Sequence, residues 1–396
     1  MAHLKRAITL PLLVFYGLGN IIGAGIYVLI GQIANVAGYY MPISFLVASV
    51  VVLFTILSYA ELASRFPLSA AEALYIKEGL GDRFFLPQTV GFLMLFSGIV
   101  SSAAIMSGFY GYLKEIVDIG EEWTLLLTLF SLFVVAASGI SLSVKVTALF
   151  TIIEISGLVL IIAAAFFKLD PASIDPALFI PPPKLEVWHH IFIGAFLAFY
   201  AYIGFEDIVK VSEEVIEPKK TLPKGILLTL LISTILYVAV AIAALLALPL
   251  HQLTTSDSPL DEVFEALVGK SYLLNYIALF AIVNGALVQI IMISRLLYGM
   301  AKEGWLPKIF AKVDPRTQTP LLATLGATAA IGAAAFLFHL VTLAKLTSLA
   351  VLTVFILTNL SLILIKRRGD KAPFEVPMWV PVVGALLDLA LILLSL

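Results

Sequence analysis

The 396-residue chain contains no cysteine. Disulfides, thiolate metal sites and cysteine nucleophiles are excluded, and a disulfide-linked partner subunit with them. Charge is also scarce, at 13 % Asp, Glu, Lys and Arg; a soluble domain carries about 25 %. The net charge of −2 leaves no basic surplus for nucleic acid and too little charge for a disordered chain. Enzyme motifs are missing too: there is no P-loop, no H-E-x-x-H and no G-x-S-x-G. Gly17-Leu18-Gly19-Asn20-Ile21-Ile22 begins like a dinucleotide fingerprint, but Ile22 stands where the third glycine belongs and no strand precedes it. His189-His190 lacks obvious further ligands and reads as an interfacial pair. No nucleophile–base pair is evident, so neither an enzyme nor a cofactor is expected.

What the chain has is hydrophobicity, 61 % of all residues. A spanning helix needs about 20 mostly apolar residues. Eleven such stretches are present, near 10–34, 40–64, 84–114, 122–142, 145–167, 189–212, 222–248, 272–300, 320–339, 341–365 and 379–396. They are too long and too evenly apolar for barrel strands. The first follows Lys5 and Arg6 as a signal peptide would, but outruns a signal core and is read as a true span. With alternating loops, 19 of the 24 Lys and Arg residues fall on the N-terminal side. This bias predicts a multi-pass protein of the plasma or inner membrane, N-terminus cytoplasmic and C-terminus external.

Three loops carry local signals. Ser69-Ala70-Ala71-Glu72 has capping-box spacing and predicts a short cytoplasmic helix. Ser258 before Pro259 predicts an external helix with Leu260, Val263, Phe264 and Leu267 on its apolar face. Residues 170–184 hold five prolines and read as an extended external loop dividing the chain in two.

Gly17, Gly19, Gly23 and Gly25 crowd the first span. Each costs about 1 kcal/mol of helix propensity against alanine. Close helix packing through Gly19-x-x-x-Gly23 is one reading. A broken helix whose backbone N–H groups face an anion is the other. The sixth span runs Phe199-Tyr200-Ala201-Tyr202-Ile203-Gly204-Phe205-Glu206-Asp207, placing a glycine and two acids after an apolar start. Interrupted helices at matching places in two halves point to a transporter site.

Four motifs then appear in order. They are Gly19-Asn20-Ile21-Ile22-Gly23-Ala24-Gly25-Ile26-Tyr27, Glu61-Leu62-Ala63-Ser64-Arg65-Phe66-Pro67-Leu68-Ser69, the stretch from Phe199 to Pro223, and Arg295-Leu296-Leu297-Tyr298-Gly299-Met300-Ala301-Lys302-Glu303-Gly304-Trp305-Leu306-Pro307. Together they resemble the amino acid–polyamine–organocation (APC) transporters. The eleven apolar stretches predict an all-α integral membrane protein of about eleven transmembrane helices, where many members of that family have twelve. The resemblance implies the leucine-transporter-like fold: a 5+5 inverted repeat with helices 1 and 6 broken. The first repeat would cover 1–168, an external linker 169–188, the second repeat 189–366, and an additional helix 367–396. It further implies a substrate carboxylate on backbone at Ile22, Gly23, Ala24, Gly25 and Ile26. The amino group would meet backbone at Phe199, Tyr200, Ala201, Tyr202 and Gly204. Ala70 and Ala71 stand where the family usually has two glycines.

The fifth span departs most. Some proton-coupled members carry a lysine where Phe150-Thr151-Ile152-Ile153-Glu154 places Glu154. An acid there is expensive in lipid and faces the interior or is protonated. It would carry a coupling proton, hold Na⁺ or meet a cationic substrate; a structural hydrogen bond is the plain alternative. Ser102 and Asn284, in the third and eighth spans, are further substrate candidates, with Ser101 beside the first. Gln289 lies about 140° round the helix from Asn284 and is expected to point elsewhere. Asp388 reads as a packing residue, and Lys345 as a snorkelling one.

The expected function is secondary active transport of amino acids by alternating access, proton-coupled or by exchange, with H⁺ or Na⁺ as coupling ion. The expected partners are a small-molecule substrate and the lipid bilayer, without nucleic acid. A polyamine or other organic-cation carrier is the alternative. A channel or non-transporting scaffold is the alternative of another class, and no selectivity-filter motif supports it.

Overall fold

A computed structural model describes residues 3–82, 85–113, 119–168, 176–256, 258–270, 272–337 and 343–395. The helices are α1 (Leu10–Ile21), α2 (Gly23–Ala37), α3 (Met41–Arg65), α4 (Ala71–Leu80), α5 (Leu86–Leu113), α6 (Glu121–Ala137), α7 (Ile140–Lys168) and α8 (Leu185–Tyr200). Then follow α9 (Pro218–Ala247), α10 (Leu250–Thr255), α11 (Pro259–Val268), α12 (Leu273–Lys302), α13 (Leu321–Leu337), α14 (Leu343–Lys366) and α15 (Trp379–Ser395). No named strand occurs among the described residues. Helices suit a bilayer, because each satisfies its own backbone polar groups. Seven helical stretches among the described residues are long and apolar enough to cross a membrane. Leu10–Ile21, Leu321–Phe336 and Trp379–Leu394 are shorter apolar helices.

The first span is α1 and α2, interrupted at Ile22. The interruption is slight, since Ile22 keeps helical angles and its N–H still donates to Leu18 O at 2.8 Å. The sixth span is broken more deeply. After α8 come four turn residues, 201–204, and then a ten-residue 3-10 stretch, Phe205–Glu214. Gly204 sits at φ +123°, which a side chain rarely adopts. The fourth span ends at Ala137, earlier than expected, because Gly139 turns the chain at φ +115°.

Two packing groups emerge. In one, α3 lies against α8 and α9, α1 against α9, and α2 against α8. In the other, α12 lies against α5 and α13, and α13 against α5 and α6. The N-terminal segment pairs with the end of the sixth span, Ala7 and Ile8 N–H donating to Glu214 O. Glu61 of the second motif is a buried hub, accepting from Arg65 at 2.7 Å, Lys366 at 2.9 Å and the Val376 N–H at 2.8 Å. Asp388 accepts from Thr55 at 2.8 Å and Asn359 at 3.0 Å, tying α15 to α3 and α14.

Two loop readings have different outcomes. The Ser258–Pro259 start produces α11, with Leu260, Val263, Phe264 and Leu267 buried. The capping box at Ser69 does not form, although the helix does: α4 begins at Ala71 without a side-chain cap. Glu72 instead turns inward and is fully buried against Lys210 at 3.0 Å. Its ammonium partner outbids a backbone N–H, because a buried carboxylate needs an opposite charge. At the far end of α4, Lys77 donates to Glu303 at 2.6 Å, and this bond holds the ammonium above the usual lysine range. Residues 169–175 of the proline-rich loop lie outside the described residues.

Candidate substrate site between two interrupted helices

Both interruptions open on one cavity of about 330 Å³, in the size range of small-molecule sites. The first span contributes Asn20, Ile21 and Gly23; the sixth contributes Tyr200, Ile203, Gly204, Glu206 and Asp207. The third, eighth and tenth spans supply the walls, among them Met94, Ser101, Ile105, Ile282, Gly285, Gln289, Met292 and Val351. Gly23 opens α2 at the cavity, and the first N–H groups of a helix lack intrahelical acceptors. A Cβ at Gly23 would meet nothing within 4 Å.

The floor is a polar knot. Asp207 Oδ2 accepts from Asn20 Nδ2 at 2.7 Å and from Gln289 Nε2 at 2.7 Å. Asp207 Oδ1 accepts from Lys210 at 2.9 Å. Asn20 Nδ2 also donates to Gly204 O at 2.8 Å, and Glu206 Oε2 accepts the Gly204 N–H at 2.8 Å. First, sixth and eighth spans therefore meet at Asp207.

The candidate residues divide. Gly23, Tyr200 and Gly204 line the cavity. The Tyr200 ring stands edge-on to Phe196 at 5.2 Å and to Phe199 at 6.3 Å. Ile22, Ile26, Phe199, Ala201 and Tyr202 are buried beside it rather than on its wall. Tyr202 donates its hydroxyl to Phe45 O at 3.2 Å. The side chain of Ala24 and the surroundings of Gly25 lie outside the described residues. Ser101, not Ser102, faces the cavity, and Ser102 Oγ donates to Gly98 O at 2.7 Å.

Asn284 and Glu154 come together away from the cavity wall. Asn284 Nδ2 donates to Thr151 Oγ1 at 2.9 Å and to Glu154 Oε2 at 3.5 Å. Glu154 Oε1 and Asn284 Oδ1 are buried without a hydrogen-bond partner. This cluster presses on α1: a Cβ at Gly19 would collide with Thr151 Oγ1 and Asn284 Nδ2. Gln289 does point away from Asn284, but it points into the cavity. Helical spacing gives the angle between two residues, not which of them faces the ligand.

Tyr237 on α9 carried no sequence signal. Its buried hydroxyl lies 2.8 Å from Ile21 O and 2.9 Å from Ala201 O, bridging carbonyls at both interruptions. Its ring packs on Tyr202 at 5.2 Å and Phe45 at 5.5 Å. Tyr237→Phe keeps the ring and removes the one hydroxyl hydrogen that the two buried carbonyls share. The expected result is about tenfold weaker substrate binding, the size of one lost buried hydrogen bond. Tyr202→Phe, whose hydroxyl serves Phe45, is expected to leave binding within about twofold by the same bookkeeping. Equal affinities for Y237F and the parent protein would remove the bridge from the site.

The comparisons agree with the motifs. The sequence pattern described as "Amino acid permease" matches residues 8–396. The chain is 31 % identical to the branched-chain amino acid permease BcaP of Bacillus subtilis, over 97 % of this chain and 86 % of that one. It is 28 % identical to the methylthioribose transporter of the same organism, over 96 % of this chain and 86 % of the relative. It is also 28 % identical to the mitochondrial cationic amino acid transporter 3 of Arabidopsis thaliana, over 95 % of this chain and 64 % of the relative. Relatives that are permeases, an all-helical membrane fold and a cavity between two interrupted helices lead to one conclusion: the chain belongs to the amino acid permease family of the APC superfamily.

Proposed function

We propose that this protein is a secondary active transporter that carries amino acids across the cell membrane by alternating access, with its N-terminus in the cytoplasm. The carrying observation is the cavity shared by both helix interruptions. A zwitterion needs donors at one end and acceptors at the other. Backbone N–H groups from Gly23 onward supply the first, and the backbone carbonyl at Tyr200, on the cavity wall, supplies the second. Met94, Ile105, Ile282, Met292 and Val351 give the remaining wall an apolar character that suits a neutral aliphatic side chain. The similarity to a permease named for branched-chain amino acids supports the same choice.

A second reading rests on charge. Glu72, Glu206 and Asp207 are buried around the sixth-span break with one ammonium, Lys210, among them. A buried carboxylate without a partner is costly, so a proton or a cation balances the surplus. The proton makes this a proton-coupled carrier, with Glu154 as a second acid in the path. A cationic substrate makes it a carrier of basic amino acids, for which relatives are also named.

Uptake of labelled leucine, isoleucine, valine, lysine and arginine into proteoliposomes, with and without an inward proton gradient, separates these readings. Gradient-driven uptake of the aliphatic three is expected. Selective uptake of lysine and arginine would overturn that specificity, and no uptake by folded protein would overturn amino acid transport. Glu154→Gln is expected to flatten the pH profile of uptake while sparing exchange. An unaltered profile would make Glu154 structural.

A further inference from the structure

A 3-10 run of ten residues is unusual, because the form is rarely stable beyond 3–4 residues. The run Phe205–Glu214 is held from outside. With about three residues per turn, positions three apart share one face. Asp207, Lys210 and Glu213 are so spaced and form a ladder of alternating charge. Each rung is tied to another element. Asp207 meets Asn20 of α1 and Gln289 of α12. Lys210 meets Glu72 of α4 at 3.0 Å. Glu213 meets Lys302 at 2.9 Å and accepts the Ser69 N–H at 3.2 Å. In an α-helix each rung would turn about 60° from the last, and the ladder could not face one seam.

Lys210 is the middle rung. It is fully buried and bonds Asp207, Glu72 and the Glu206 carbonyl together. Its spacing along the 3-10 face makes it the link between the cavity floor and the seam on the N-terminal side. Resting on the transport reading above, we propose that Lys210 is a positioning residue of the transport cycle. It holds Asp207 against Asn20 and Gln289 and so keeps the cavity closed toward the N-terminal face. Opening to that face then requires the Lys210 ties to part.

The absence of native cysteine makes the test direct. Ser97 lines the cavity, and Ser97→Cys places a single reporter thiol there. A membrane-impermeant maleimide applied from the N-terminal face of oriented membranes reads closure without any substrate. In S97C/K210M, labelling from that face is expected to rise about tenfold or more, the ratio that a lost bond to a charged group sets. S97C/K210R, which keeps the charge, should label as S97C does. In transport, K210M is expected to lower kcat much more than it raises KM. Labelling of folded S97C/K210M at the S97C rate would overturn the proposal. If K210M does not fold, E72Q/K210M removes the ammonium together with one of its two carboxylate partners, leaving Asp207 to Asn20 and Gln289, and carries the same expectation; an unchanged rate there overturns it equally. Failure of all amino acid uptake would sink the transport reading while leaving the labelling result standing.

Discussion

Gly204→Ala is expected to lower uptake by about a hundredfold or more while the protein still inserts and stays monodisperse in detergent, since a strained backbone position costs about 1–3 kcal/mol. Two effects combine. At φ +123° any Cβ is strained. The added carbon would also stand 2.7 Å from Asn20 Nδ2, displacing the amide that bonds both Gly204 O and Asp207. A lost bond to a charged group contributes about 1.5–3 kcal/mol more. The penalty falls on the cavity floor, so transport suffers before global stability. Initial uptake rates beside size-exclusion profiles decide it. Wild-type uptake in G204A would show that the sixth-span turn is free to take a side chain and does not require glycine.

Arg295→Met is expected to produce the largest loss of stability. Arg295 and Glu214 form a bidentate pair at 2.9 and 2.8 Å, with both side chains fully buried. The pair joins α12 to the end of the sixth span on the N-terminal side of the cavity. Removing one member strands a buried charge, at a cost of about 3–5 kcal/mol. That corresponds to a fall of about 10 °C in Tm, at 2–4 °C per kcal/mol for larger chains. R295M/E214Q removes both charges and should recover most of the loss, because a neutralised pair no longer has a desolvated ion to house. Thermal unfolding in detergent measures both. A double variant no more stable than R295M would mean that the arginine acts through packing and not through its charge.

Fold class was legible in the chain because the membrane imposes a simple rule. Apolar stretches of spanning length must become helices, and Lys and Arg bias their loops. The glycines at 19, 23 and 204 were legible too, since each is costly in a helix and so marks a special position. What periodicity could not rank was the polar residues. Asn284 and Gln289 share a helix, and only packing decides that Gln289 faces the cavity while Asn284 faces Glu154. Ser101 and Ser102 differ in the same way.

Long-range pairs were wholly invisible. Glu72 and Lys210 are 138 residues apart and Tyr237 is 216 residues from Ile21, so no local pattern announces either contact. Glu72 also shows how tertiary demand overrides a local signal: its capping-box place was forfeited to a buried ammonium. Composition and glycine placement were enough for a helical membrane protein with two weakened spans. Which side chains close the space between them follows from packing alone, because burial and charge pairing are set by elements far apart in the chain.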